Sequence, residues 1–154
     1  MLNNTLDKTF YPASIAVLGA SSREGTLSWA LVNNLIKYGY NGMIFPVNPK
    51  AASIHSIKSY PTVNHIKDEV DLAVIMLPKD MVLDAIDDCG KKKIKAVMVI
   101  TAGFKETGKD GAKTETELIA KIKKYGMRLI GPNCMGLINT NPNVKMNCTF
   151  VHGT

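Results

Sequence analysis

Five short apolar runs recur along this chain with helical spacing between them, and that alternation limits the fold more than any other feature of the sequence. SIAVL at Ser14–Leu18, MIFPV at Met43–Val47, LAVIM at residues 72–76, AVMVI at residues 96–100 and a shorter RLI at Arg128–Ile130 are apolar at successive positions. A strand with one face in water alternates apolar with polar residues, whereas a strand apolar on both faces belongs in a parallel sheet covered by helices on each side. Pro46 lacks a donor N–H, which an edge strand or a bulge tolerates. Between the runs lie apolar stripes at helical spacing. Leu27, Leu31 and Leu35 form one with Val32 and Ile36, ending at Gly39 or Gly42; Val82, Ile86 and Cys89 form a second with Leu83. Leu118, Ile122 and Tyr125 form a third with Ile119, closed by Gly126 where a left-handed cap is wanted. The expected fold is α/β, a Rossmann-like, doubly wound and mostly parallel sheet.

A chain of 154 residues makes one domain of this kind. Hydrophobic residues at 45% and charged residues at 21% exclude a disordered chain, and no apolar run approaches the ~20 residues of a membrane helix. The stretch MLNNTLDKTFYP lacks the basic, apolar and small-residue succession of a secretory signal, so a cytoplasmic protein with no membrane partner is expected. Cys89, Cys134 and Cys148 form no CxxC pair, which disfavours a disulfide framework and a zinc knuckle alike; free thiols are expected, with Cys148 in a C-terminal tail.

The net charge of +6 is unevenly spread. Residues 26–67 contain no acidic side chain but carry Lys37, Lys50, Lys58 and Lys67, with Arg23 just before them. Two readings stand: an anion is attracted to the first third of the fold, or the lysines serve solubility. The runs Lys91, Lys92, Lys93, Lys95 and Lys121, Lys123, Lys124 fall at helix ends, where cations complement the helix dipole. No aromatic interleaving or recognition module accompanies them, so no nucleic-acid partner is expected.

Ligands of such a sheet bind outside the carboxyl ends of its strands, which directs attention to the loops that follow them. The first, GASSREG at residues 19–25, joins a buried strand to a helix and begins with glycine, an arrangement that cradles phosphate. It departs from the dinucleotide fingerprint, with Ser21 in place of the second glycine. Ser21, Ser22 and Thr26 offer hydroxyls and Arg23 a full charge; the alternative is that the glycine and serines serve only as turn and cap. After the second strand stands Asn48-Pro49-Lys50, where an NAD-binding fold places an acidic residue. An ammonium there suits a nucleotide with an extra ribose phosphate, the NADP class or coenzyme A, unless Lys50 is an ordinary surface lysine. Pro78 is either a wall for an adenine ring or the start of the next helix. Thr101-Ala102-Gly103 allows close backbone approach, and Asn133 and Cys134 lie in a loop bracketed by Gly131 and Gly136, which is otherwise only a turn.

Taken together and in order, IAVLGASSREGT, FPVNPK, VDLAVIMLP, VMVITAGFKETG and RLIGPNCMGLINTNP resemble the CoA-binding domain of the NDP-forming acyl-CoA synthetases, which include ADP-forming acetyl-CoA synthetase and the alpha subunit of succinyl-CoA synthetase. The likeness spans residues 10–150. It implies coenzyme A or an acyl-CoA as ligand, with Gly19, Ala20, Ser21, Arg23 and Thr26 along the phosphates. It further implies that Asn48 and Lys50 hold the nucleotide end, that Pro78 packs near adenine, and that Thr101, Ala102, Gly103, Asn133 and Cys134 approach the pantetheine and its thiol. Ser28 departs from the pattern, since members often have glycine there.

In that family a histidine of another domain carries a phosphoryl group from acyl phosphate to the nucleotide. His55, His65 and His152 match no such motif, and the loops hold no Ser/His/Asp or paired-carboxylate arrangement, so no catalytic residue and no metal site is expected in this chain. Residues 1–154 are expected to be a single domain, the N-terminal part of a longer ligase. Its partners would be the remaining ligase domains or an ATP-grasp subunit, in a homo- or hetero-oligomer. Competing readings are a CoA-binding regulatory domain fused to a protein lysine acetyltransferase, a stand-alone CoA-binding protein, and an NADP-dependent oxidoreductase.

Overall fold

The structure, a computed structural model, describes residues 5–151; the first four residues of the N-terminal stretch and His152 lie outside the described residues. The strands β1 (Ser14–Leu18), β2 (Met43–Val47), β5 (Leu72–Ile75), β6 (Ala96–Val99) and β7 (Arg128–Ile130) form one sheet in the order β2-β1-β5-β6-β7, every neighbouring pair parallel. All five apolar runs are therefore strands. The third and fourth end one residue before their apolar runs do, yet the Met76 and Ile100 N–H groups still bond to Leu18 and Ile75 carbonyls. Pro46 lies in β2, an edge strand of this sheet.

Helix α2 (Leu27–Lys37) connects β1 to β2, while α3 (Lys79–Lys91) and α4 (Lys109–Lys124) connect β5 to β6 and β6 to β7. The two apolar faces of the central strands go to different partners. Ile15, Val17, Leu72, Val74 and Met98 pack with Leu31, Val32 and Leu35 of α2. Ala16, Leu18, Ala73, Ile75, Val97 and Val99 pack with Val82, Ile86 and Cys89 of α3 and Leu118 and Ile122 of α4. Because the chain leaves β1 toward β2 and later returns to β5 on the other flank of β1, the connections diverge above β1 and β5, opening a crevice at their carboxyl ends.

Several elements lie outside the alternation read from the sequence. A short helix α1 (Thr5–Phe10) is tied to the amino edge of the sheet by Lys8 Nζ, which donates to Asp71 Oδ1 at 2.7 Å; Asp71 Oδ2 accepts from Ala13 N at 2.8 Å. A two-residue hairpin, β3 (Ser53–Ile54) and β4 (Ile57–Lys58), follows β2. A second hairpin, β8 (Gly136–Asn139) and β9 (Met146–Thr149), packs on α2, where Asn34 Nδ2 donates to the Thr149 and Val151 carbonyls at 2.8 and 2.9 Å. Cys148 is thus no part of a tail: it lies in β9, fully buried against the α2 side of the sheet. The helical stripes hold with corrections at two helices: in α2 Leu27 and Ile36 are exposed while Ala30, Leu31 and Leu35 are buried, and in α4 Ile119 is exposed while Leu118 and Ile122 are buried. Among the described residues no helix is long and apolar enough to cross a membrane.

Candidate functional site

Two clefts open at the carboxyl edge and share Leu77, the residue after β5 and Met76, as a common wall. The first, of about 490 Å³, is lined by Gly19, Asn48, Pro49 and Lys50, by Pro61, Thr62 and Val63, and by Met81, Asp84, Ala85 and Asp88 of α3. The second, of about 530 Å³, is lined by Leu27 and Ser28 at the start of α2, Met76, Pro78, Ile100, Thr101, Ala102, Asn133, Cys134, Met135 and Phe150. Of the lysines in the stretch without acidic residues, Lys50 faces a cleft, whereas Lys37 and Lys58 lie over the Tyr38 and Tyr60 rings.

The expected site residues divide among three positions. Gly19, Asn48 and Lys50 meet in the first cleft; Pro78, Thr101, Ala102, Asn133 and Cys134 meet in the second, so Pro78 stands apart from Lys50. Ala20, Ser21, Arg23, Thr26 and Gly103 line neither. Their places have local causes. Ala20 is buried in the α2-side core. Ser21 Oγ accepts from Arg23 N at 3.0 Å, a turn bond, and Thr26 is the N-cap of α2, accepting from Trp29 N. Thr26 also donates to the Arg23 carbonyl at 2.8 Å, and the Arg23 side chain is exposed. Gly103 is covered by the Lys79 side chain, and its N–H is taken by Glu106 Oε1 at 2.5 Å. That bond, with a second from Phe104 N, holds the Glu106 carboxyl below the usual carboxylate range.

Two side chains join the loops to one another. Asn48 Nδ2 donates to the Ala20 carbonyl at 2.8 Å while its Oδ1 accepts from Lys50 N at 2.7 Å, so the amide spans the loops after β1 and β2. Thr101 Oγ1 donates to the Leu77 carbonyl at 2.6 Å, and Asn133 N donates to the Thr101 carbonyl at 3.0 Å, linking the loops after β5, β6 and β7. Asp84, Asp88, Pro61, Val63 and Met135 belong to no motif that marks them in the sequence. Met81, Asp84 and Asp88 stand at helical spacing on α3, which puts them on the one face that meets the cleft.

The thiols differ in access. Cys134 is half-buried and burial raises its thiol, whereas Cys89 and Cys148 are fully buried and burial pushes Cys89 up to about 12. Alkylation with iodoacetamide, read by peptide mass spectrometry, should therefore mark Cys134 well before the other two, at a rate that climbs with pH beyond the ordinary thiol range. Equal labelling of all three in the folded protein would contradict this placement.

A model described as the CoA binding domain matches residues 13–140. The chain is 43% identical over 150 residues to the alpha subunit of ADP-forming acetate–CoA ligase I of Pyrococcus furiosus, a match covering 95% of this chain and 32% of that subunit. A crystal structure of a Pyrococcus horikoshii protein superposes with a TM-score of 0.90 at 46% identity, covering 96% of this chain and 33% of the other. The dinucleotide-forming acetyl-coenzyme A synthetase 1 of Ca. Korarchaeum cryptofilum, in complex with phosphate and ADP, superposes with a TM-score of 0.88 at 42% identity over 94% of this chain and 30% of that one. The chain thus spans about a third of the length of these relatives.

Proposed function

Because this chain belongs to the CoA-binding domain family, with coenzyme A as its ligand, we propose that it is the CoA-holding part of an ADP-forming acyl-CoA ligase. The single observation that carries the placement of the ligand is the pair of clefts meeting at Leu77, one lined by a lysine and the other, among the described residues, by no cation. The nucleotide end of CoA occupies the first cleft, where Lys50 meets the ribose phosphate and Asn48 positions it. Pro61, Val63 and Met81 give apolar walls for the adenine ring, and Asp84 and Asp88 supply acceptors for its amino group. The diphosphate lies at the start of α2, at the positive end of the helix dipole, beside the Thr26 cap that takes the Trp29 N–H. The pantetheine arm follows Leu77 and Pro78 into the second cleft, past Thr101 and Asn133, toward Cys134.

The single domain of residues 1–154 serves a longer ligase, whose other domains or an ATP-grasp subunit supply the phosphoryl chemistry and with which this chain assembles. Free cysteines support a reducing, cytoplasmic setting. The alternatives of an acetyltransferase-linked regulatory domain and of a free-standing binder draw no support from the relatives, which are ligases, and the NADP reading yields to the family match.

Calorimetry on the purified chain tests the placement. CoA should bind roughly ten- to a hundred-fold more tightly than dephospho-CoA, since one charge-assisted phosphate contact is worth about 1.5–3 kcal/mol. Lys50→Ala should erase most of that gap. Equal affinities for the two ligands, or a preference for NADP, would overturn it.

A further inference from the structure

One buried hydroxyl in the first turn of α2 has no use inside the fold. Ser28 is only 8% exposed, and among the described residues its Oγ makes no hydrogen bond. Ser14, Asn34, Asp71 and Thr149, buried to a similar degree, each hold one or more. Two local duties open to a serine are not performed by it. Thr26 is the cap of α2, and Ser28 does not bond back to the carbonyl four residues earlier, as Thr114 and Thr116 of α4 do. A hydroxyl taken out of water costs free energy until it finds a partner, and the space that Ser28 borders is the second cleft.

The neighbouring donors set the charge of that partner. Thr26 Oγ1 takes the Trp29 N–H and the Thr26 carbonyl takes that of Ala30. The Leu27 and Ser28 N–H groups are left, at the positive end of the helix, with no partner among the described residues. No carboxylate among the described residues lines the cleft. On the reading of this cleft as the path of the pantetheine arm, we infer that Ser28 Oγ donates to the CoA diphosphate, at the phosphate that bears the pantetheine. Ser28 lines the second cleft and not the first, which assigns it to that phosphate and not to the one on the nucleotide side. Three donors together suit a group with several acceptor oxygens, which a phosphate has and a pantetheine amide has not. Alanine or glycine at this position would leave the N–H groups alone.

Calorimetry on the purified chain tests this, with CoA, dephospho-CoA and adenosine 3′,5′-bisphosphate as ligands. A hydrogen bond to a charged group is worth about tenfold in affinity or more, so Ser28→Ala should weaken CoA and dephospho-CoA alike by about tenfold. The bisphosphate, which lacks the pantetheine-bearing phosphate, should bind the variant as it binds the parent. Ser28→Asp should weaken CoA much further through like-charge repulsion, although a carboxylate in the first turn of a helix favours the fold. Thermal unfolding should show both variants at least as stable as the parent. CoA binding unchanged in Ser28→Ala, an equal loss for all three ligands, an aspartate variant that binds CoA as well as the alanine one, or a destabilised alanine variant would each overturn the inference and leave the CoA assignment intact. Failure of the parent chain to bind CoA would overturn both.

Discussion

Phe104→Ala should lower the unfolding free energy by about 3–5 kcal/mol, the usual result of emptying a buried aromatic site. Phe104 follows the Thr101-Ala102-Gly103 loop and is fully buried among the α3 and α4 core residues. It is the only wholly buried side chain in that loop, because Thr101 and Gly103 are partly exposed and Ala102 is exposed. Its carbonyl accepts from Thr107 N at 2.9 Å and its N–H donates to Glu106, so the cavity would lie under a segment whose hydrogen bonds assume the ring is there. A loss of this size is a large share of the 5–15 kcal/mol of a typical domain. Urea unfolding should show the midpoint falling with the slope unchanged, and CoA affinity falling with it as Thr101 and Ala102 lose their anchor. A loss below about 1 kcal/mol would mean that the loop is held from elsewhere.

Gly19→Ala is the second substitution with a large expected effect. The residue has φ +87°, and a Cβ built there stands 2.6 Å from the Met76 carbonyl oxygen and 3.3 Å from Leu77 Cδ2. The obstructing atom is backbone at the end of β5, which is paired on both sides by β1 and β6, so it cannot easily give way. Left-handed strain of about 1–2 kcal/mol and an overpacking cost of about 1–3 kcal/mol together predict a loss of about 2–5 kcal/mol. Gly25→Ala separates the two contributions: Gly25 has φ +85° with nothing within 4 Å of its Cβ position, so it should lose only the conformational part. Thermal unfolding of the two variants side by side checks this. Equal losses would show that the contact with the end of β5 is absorbed. Because Gly19 lines the first cleft, its variant should also bind CoA more weakly, whereas Gly25, which lines neither cleft, should not.

The central sheet was legible because β1, β5 and β6 are buried along their whole length, and total burial leaves an uninterrupted apolar run. The two hairpins were not, since strands of two to four residues carry no usable period. Leu27 shows a different limit. Spacing tells which residues share a helical face but not where that face runs out past the sheet, so the first leucine of the stripe falls in the cleft instead of the core. At the candidate site, the loops after the strands are legible in the sequence and their division between two clefts is not. Lys50 and Pro78 follow strands on opposite flanks of β1, and that strand order is a property of the topology which no local motif records. The bond from the Gly103 amide to Glu106 is equally hidden, since the reach of that carboxylate depends on the intervening turn at Lys105–Thr107.

The single amide of Asn48 acts as a ruler. One end grips the Ala20 carbonyl and the other the Lys50 N–H, so the separation between the glycine loop and the lysine is fixed by the covalent length of one side chain. Salt will alter how firmly the ammonium holds an anion, whereas the backbone from which its flexible side chain extends is held to the glycine loop through the two hydrogen bonds of one amide.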